Sequence, residues 1–154
     1  AMSRDLLVFE QYIEGMLTAL SAGQRRLFFS RLARELARVN ATRMRANVSP
    51  DGQAFEPRKP QTRLRAKRGR VRAMFQKLPK SLKPSATESG LEISFSGRAA
   101  QIAEVHHYGK EDAPNRLRPT WRVRYPAREL IGISELDQTL IVERIIEQVS
   151  TVKI

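Results

Sequence analysis

The only two histidines of this 154-residue chain, His106 and His107, are neighbours, and they are the first residues to weigh for chemistry. On a helix, adjacent residues project about 100° apart, so the pair cannot ligate one metal ion from a single face. Cysteine is absent, which removes thiolate metal sites, disulfide staples and thiol redox chemistry. No Ser or Asp stands in a nucleophile-elbow or triad context. The 8 glycines are scattered singly, and Gly97-Arg98 opens nothing like a phosphate-binding loop. A hydrolytic pairing of His106 with Glu104 is the least poor enzymatic reading. The expectation is a protein with no catalytic residues, no cofactor and no metal.

Charge is the one feature above background. The formal net charge is +12, yet Arg58 to Lys83 holds 11 Lys or Arg residues and no acid, leaving 17 basic against 16 acidic residues elsewhere. Its cations include Arg58, Lys59, Arg63, Arg65, Lys67, Arg68, Arg70, Arg72 and Lys77. Three readings are open. Like charges can simply repel and stay solvated. They can track nucleic-acid phosphates, releasing counterions without reading sequence. Or the segment can order against a neighbouring subunit or an acidic partner. Phe75 is the segment's only aromatic, so the stacking platforms of single-strand binders are missing. The docking reading is the favoured one, with a nucleic-acid-binding module as its rival.

Apolar spacing predicts the elements that must carry these residues. Leu6, Phe9, Ile13, Met16, Leu17 and Leu20 share one face of a helix from Ser3 to Leu20, for which Gly23 supplies the stop. Ser21 and Gln24 have capping-box spacing for a second helix, about Gln24 to Ala46. That helix places Leu27, Phe28, Leu32, Leu36 and Val39 inward and Arg26, Arg34, Arg38 and Arg45 outward, and the two helices form a hairpin. Ser49-Pro50-Asp51-Gly52 is a turn. Prolines at 57, 60, 79 and 84 among the cations predict an extended or mobile arm over residues 56–89, with a short helix from Val71 to Leu78 as an option.

Alternation of Leu91, Ile93 and Phe95 predicts a strand, followed by a helix from Ala99 to about His106 that ends near Gly109. Trp121, Val123 and Tyr125 alternate with polar residues in a second strand, Thr120 to Tyr125, and Leu130 to Ile133 reads as a third. Ser134 with Asp137 caps a final helix carrying Leu136, Leu140, Ile141, Ile145, Ile146 and Val149. The expected fold is α+β in one domain over residues 1–154: an N-terminal helical hairpin and a C-terminal helix packed on a small, mainly antiparallel sheet, with a long basic arm. Apolar runs are short and no signal-peptide pattern opens the chain, so a soluble, unexported protein is expected. Ala1 before Met2 reads as a scar of tag removal.

Three ordered segments resemble the phage virion-morphogenesis family, which includes tail-completion proteins of contractile-tailed phages. Ser49-Pro50-Asp51-Gly52-Gln53-Ala54-Phe55-Glu56-Pro57-Arg58 follows an Arg-rich helical hairpin and is similar to that family's Pro-Asp-Gly stretch. Arg98-Ala99-Ala100-Gln101-Ile102-Ala103-Glu104-Val105-His106-His107-Tyr108-Gly109 resembles its Ile-Ala-x-x-His-x-aromatic-Gly element. Tyr125-Pro126-Ala127-Arg128-Glu129-Leu130-Ile131-Gly132-Ile133-Ser134-Glu135-Leu136-Asp137 resembles its Tyr-Pro-x-Arg-x-Leu-x-Gly motif leading into the last helix.

The resemblance implies a non-enzymatic α/β subunit acting late in tail or neck assembly. It would form a homo-oligomeric ring, with a hexamer the first size to test. Partners would be tail-tube, tail-terminator or head-connector proteins, with packaged DNA a further contact and no membrane. It would be assembled in the bacterial cytoplasm and end in the virion. Under this resemblance Pro50, Asp51 and Gly52 form the turn, and His106, Tyr108 and Gly109 shape another. Arg128 holds a buried or interfacial carboxylate, and Gly132 lets the backbone pass into the final helix. Fold maintenance is the favoured role for each.

Overall fold

The computed structural model describes residues 10, 11, 14, 15, 17–58 and 74–151. Its elements are helix α1 (Ala22–Arg45), a 3-10 turn (Leu78–Ser81), strands β1 (Leu82–Ala86) and β2 (Leu91–Phe95), helix α2 (Arg98–Tyr108), strands β3 (Glu111–Asp112) and β4 (Val123–Arg124), and helix α3 (Glu135–Ser150). This is the expected α+β class. The chain clusters into two units, one of residues 1–36, 84–93 and 134–154, the other of residues 37–83 and 94–133.

In the first unit the described residues between 10 and 18 are helical, and the chain turns at Ala19 and Leu20. Ser21 then opens α1 with a reciprocal capping box: its N–H donates to Gln24 Oε1 (2.9 Å), and Gln24 N–H donates to Ser21 Oγ (3.2 Å). Gly23, expected to stop the preceding helix, lies instead inside the first turn of α1. The capping box governs the boundary because it satisfies the exposed donors of α1, whereas a glycine at that position stops nothing.

Phe28, Leu32 and Leu36 of α1 pack with Ile145, Leu140, Ile141 and Val149 of α3 and with Leu91 and Ile93 of β2. Arg144 holds Glu35 through two nearly parallel hydrogen bonds, Nε to Oε2 (3.0 Å) and Nη2 to Oε1 (2.9 Å), pinning α3 to α1. Three residues expected inward are not, Leu27, Leu136 and Ile146. Leu27 is 60% exposed and Leu136 82%, each one step off the apolar stripe that the neighbouring side chains occupy.

In the second unit Met44, Phe55, Phe75, Leu78, Ala103 and Leu130 form the core, with Leu82, Phe95, Ala99 and Ile131 against it. From residue 74 to 86, the stretch read as part of an arm over 56–89 is instead built into core, turn and strand. Phe75 and Leu78 are buried, Leu78–Ser81 is a 3-10 turn rather than part of a helix from Val71, and Leu82–Ala86 is a strand paired with β2. Its apolar side chains fit a core that its charges had obscured. Lys59, Arg63, Arg65, Lys67, Arg68, Arg70 and Arg72 lie outside the described residues.

The expected sheet is two separate pairs, β1 with β2 and β3 with β4, the latter antiparallel with Glu111 opposite Arg124. The strand expected from Thr120 to Tyr125 shrinks to Val123–Arg124, because turns claim the residues before it. Arg118 N–H donates to Asn115 O, Trp121 N–H donates to Arg118 O, and Trp121 stays exposed. Residues 130–133 make no strand, since their backbone groups bond to side chains instead of a ladder.

Candidate functional site

The turn after α1 brings the first motif back on itself. Val48 bridges Ala54, Ser49 N–H donates to Gln53 O (2.8 Å), and Gly52 N–H donates to Ser49 O (3.0 Å). Gly52 takes a φ of +86°, which a side chain would strain. Asp51 accepts from the Ser49 hydroxyl and the Gln53 N–H, and these bonds hold its carboxyl below the ordinary value. Asn47 Oδ1 accepts from Met74 N–H (2.7 Å), tying the turn to the chain within the cationic run.

From Phe55 a row of four rings crosses the unit: Phe55 to Phe75 (6.0 Å between centroids), Phe75 to His106 (4.9 Å) and His106 to Tyr125 (4.7 Å). Burial, then the charges of Arg128 and Arg58, push His106 down to about 4. Its Nδ1 lies 3.3 Å from Arg128 Nη1. A guanidinium can only donate, so Nδ1 accepts and the neutral ring carries its proton on Nε2.

Arg128 is 4% exposed, and among the described residues its hydrogen bonds go to backbone carbonyls and His106 rather than to a buried carboxylate. Its Nε donates to Glu56 O (2.8 Å) and its Nη2 to Pro57 O (3.3 Å), so the planar fork grips two successive backbone carbonyls. Burial lowers its pKa, the Glu56 carboxylate raises it and Arg58 lowers it. The backbone follows the side chain, with Arg128 N–H donating to His106 O (2.7 Å).

Two glycines permit this approach. Gly109 ends α2 in the left-handed region (φ +68°), and a Cβ there would sit 2.9 Å from Ala127 N and 3.1 Å from Tyr125 O. At Gly132 a Cβ would meet Pro50 Cγ at 2.8 Å and Glu129 Oε1 at 3.0 Å. Gly132 is also gripped from α1: its N–H donates to Asn40 Oδ1 (3.0 Å), while Arg43 Nη2 donates to both Gly132 O (3.0 Å) and Asn40 Oδ1 (2.9 Å). Leu130 N–H donates to His107 Nδ1 (3.2 Å), and the Leu130 side chain is wholly buried.

The second unit thus joins Pro50 to Gly132, His106 to Arg128, and Gly109 to the Tyr125–Ala127 backbone. Tyr108 stands apart: its side chain is exposed, against the His107 ring and under Lys110 Nζ, and it shapes no turn. Asn40, Arg43 and Asn47 complete the arrangement and were not singled out from sequence, while Phe75 and Tyr125 join it although the sequence marked them for other reasons, one as the aromatic of the cationic run and the other as a strand and motif residue. Of the first three, only Asn40 had a signal, a polar residue in the apolar series Leu32, Leu36, Asn40, Met44.

His106 and Glu104 are not a pair, because His106 faces Arg128 while Glu104 bonds Lys110. Among the described residues no three His, Cys, Asp or Glu side chains could hold a metal ion, and no helix is long and apolar enough to cross a membrane. Beside the core of this unit lies an open cleft of about 1190 Å³. Its floor includes Phe55, Phe75 and Leu78, and Arg58, Lys77 and Arg98 stand among its walls. Arg58 also donates to Met74 O.

A family model described as the phage virion morphogenesis family matches residues 7–150. Tail completion protein S of Escherichia phage P2 is 34% identical over 143 residues, which cover 90% of this chain and 93% of that protein. No solved structure matches the chain.

Proposed function

Because the chain belongs to the phage virion morphogenesis family, we propose that it is a structural subunit that completes a phage tail, and that it works by oligomeric docking rather than by catalysis. The observation that carries this reading is what the motif side chains do. Arg128, the one buried cation of the three motifs, grips backbone carbonyls, and Gly109 and Gly132 admit close backbone approach. These residues tie distant backbone segments together and present no substrate with a converging set of polar groups. Its partners would be further copies in a ring, tail-tube or connector proteins, and its place the tail or neck of the virion.

The direct test adds purified protein to a lysate of a phage mutant that lacks it and counts infectious particles. Recovery in proportion to added protein is expected. A folded protein that restores none would refute the reading. Light scattering after size exclusion, at low and high salt, would report the ring itself.

The cationic run favours a second reading, a nucleic-acid-binding module. Lys77, Lys80 and Lys83, at its described end, are all exposed. Duplex binding should weaken steeply with salt, and each phosphate-neutralising cation replaced by Gln should reduce the log–log slope by about 0.9. Negligible binding at low salt would remove it.

A further inference from the structure

We propose that the exposed face of α3 in one subunit seats in the cation-walled cleft of the next, making a head-to-tail contact between copies of this chain. This rests on the oligomeric reading above and names the surfaces that carry it. The cleft is the receiving side. Phe55, Met74, Phe75, Leu78 and Ile102 give it an apolar floor, and Ile102 remains 44% exposed although apolar. Every charged residue lining it is a cation, Arg58, Lys77 or Arg98, with no Asp or Glu among the lining residues. At about 1190 Å³ it exceeds the roughly 300–1,000 Å³ of most small-molecule sites. Its size suits a stretch of polypeptide. A nucleic-acid backbone would use the cations but leave the apolar floor unpaired.

The entering side is α3. Leu136, Thr139, Glu143 and Ile146 follow one another at steps of three, four and three, so they form one stripe, and all four are exposed. Leu136 is 82% exposed and Ile146 47%, large apolar side chains that the fold of their own unit does not use. Glu135 and Glu143 lie on this side of the helix, in step with Thr139 at intervals of four, whereas Asp137 is buried in the capping box and Glu147 is held by Arg144. An acidic helix face with apolar anchors at each end matches an apolar, cation-walled groove in chemistry and charge. This is the helix-in-groove mode of recognition. Opposite charges would steer the encounter and fix the register, and the apolar anchors would hold it.

The two surfaces differ, so the contact is heterologous, and each subunit offers both halves. Such a contact repeats until it closes into a ring or runs on as a filament. The geometry of use therefore agrees with a ring without requiring a separate patch for each neighbour.

The test mixes two full-length variants at low salt, at a concentration where the parent protein assembles, and reads mass by sedimentation velocity. One has a spoiled cleft (Ile102→Asp with Arg98→Glu); the other a spoiled helix face (Leu136→Lys with Glu143→Lys). All four positions are exposed, and a thermal melt matching the parent's verifies the fold. Ile102→Ser and Leu136→Ser serve as a milder pair where it does not. Each variant alone should be monomeric, its self-affinity lowered about 30-fold or more, as when an interface anchor is removed. Their mixture should form one-to-one dimers and nothing larger, since the first still offers a helix and the second a cleft.

A variant that assembles like the parent overturns the proposal, as does a mixture that stays monomeric while the parent assembles. In either case the ring reading survives with its interface elsewhere. A parent that remains monomeric at every salt and concentration overturns both.

Discussion

Acidification is the perturbation that most directly interrogates the His106 environment. The folded chain binds a proton at His106 only near pH 4, against an ordinary value of 6.5, because burial and the charges of Arg128 and Arg58 oppose it. The unfolded chain binds that proton more readily. Stability from this residue is therefore complete above about pH 6.5 and is lost as pH falls toward 4. At pH 5 the two values would differ by about 2 kcal/mol for a fully sheltered ring, and solvent screening of the partly exposed imidazole reduces this to about 1 kcal/mol.

Urea unfolding at pH 7.5 and 5.0, on the parent and on His106→Gln, isolates the effect. Carboxylates common to both proteins cancel in the comparison. The parent should lose about 1 kcal/mol more than the variant between the two pH values. Equal losses, or an imidazole that titrates near 6.5 by NMR, would refute the reasoning.

Gly109→Ala should lower stability by about 2–4 kcal/mol in calorimetry, since the new methyl faces backbone atoms that cannot turn aside and φ is left-handed. Gly132→Ala should cost about 1–3 kcal/mol. Adding Pro50→Ala, which removes the Cγ at 2.8 Å, should recover about 1 kcal/mol of that in a double-mutant cycle. Arg128→Lys should cost about 2–4 kcal/mol by urea unfolding, because a single ammonium cannot span the carbonyls of Glu56 and Pro57. A loss no larger than that of an exposed Arg34→Lys control would contradict this role.

Local signals were legible in the sequence. The capping boxes at Ser21 and Ser134, the turn at residues 49–52, the strand at Leu91–Phe95 and the end of α2 at Gly109 all involve residues a few positions apart. The α+β class follows from them. Burial was less legible. Ala33, Ala37 and Ala41 line the buried face of α1, where small side chains allow close packing, while Leu27, Leu136 and Trp121 stay outside. Hydrophobicity ranks a residue but does not tell which side of a helix finds a partner. Least legible were pairings between distant positions. Arg128 was picked out by motif, yet its partners lie 71 and 72 residues away and are backbone carbonyls, which leave no trace in side-chain identity. Phe75 and Leu78 were masked by the charges around them.

The amide of Asn40 has a consequence for uniqueness of fold. Apart from Asn40, the buried side of α1 is built from Phe, Leu, Ala and Met, residues whose contacts carry no directional bonds. Asn40 supplies them, because its Oδ1 must meet the Gly132 N–H and the Arg43 guanidinium. A slip of one helical turn would displace it by about 5.4 Å and strand buried polar atoms, at about 1–3 kcal/mol for each. One amide thus locks the rotational and axial phase of the longest helix. In an assembly of repeated subunits, an error of one turn in a single copy would be passed to every neighbour.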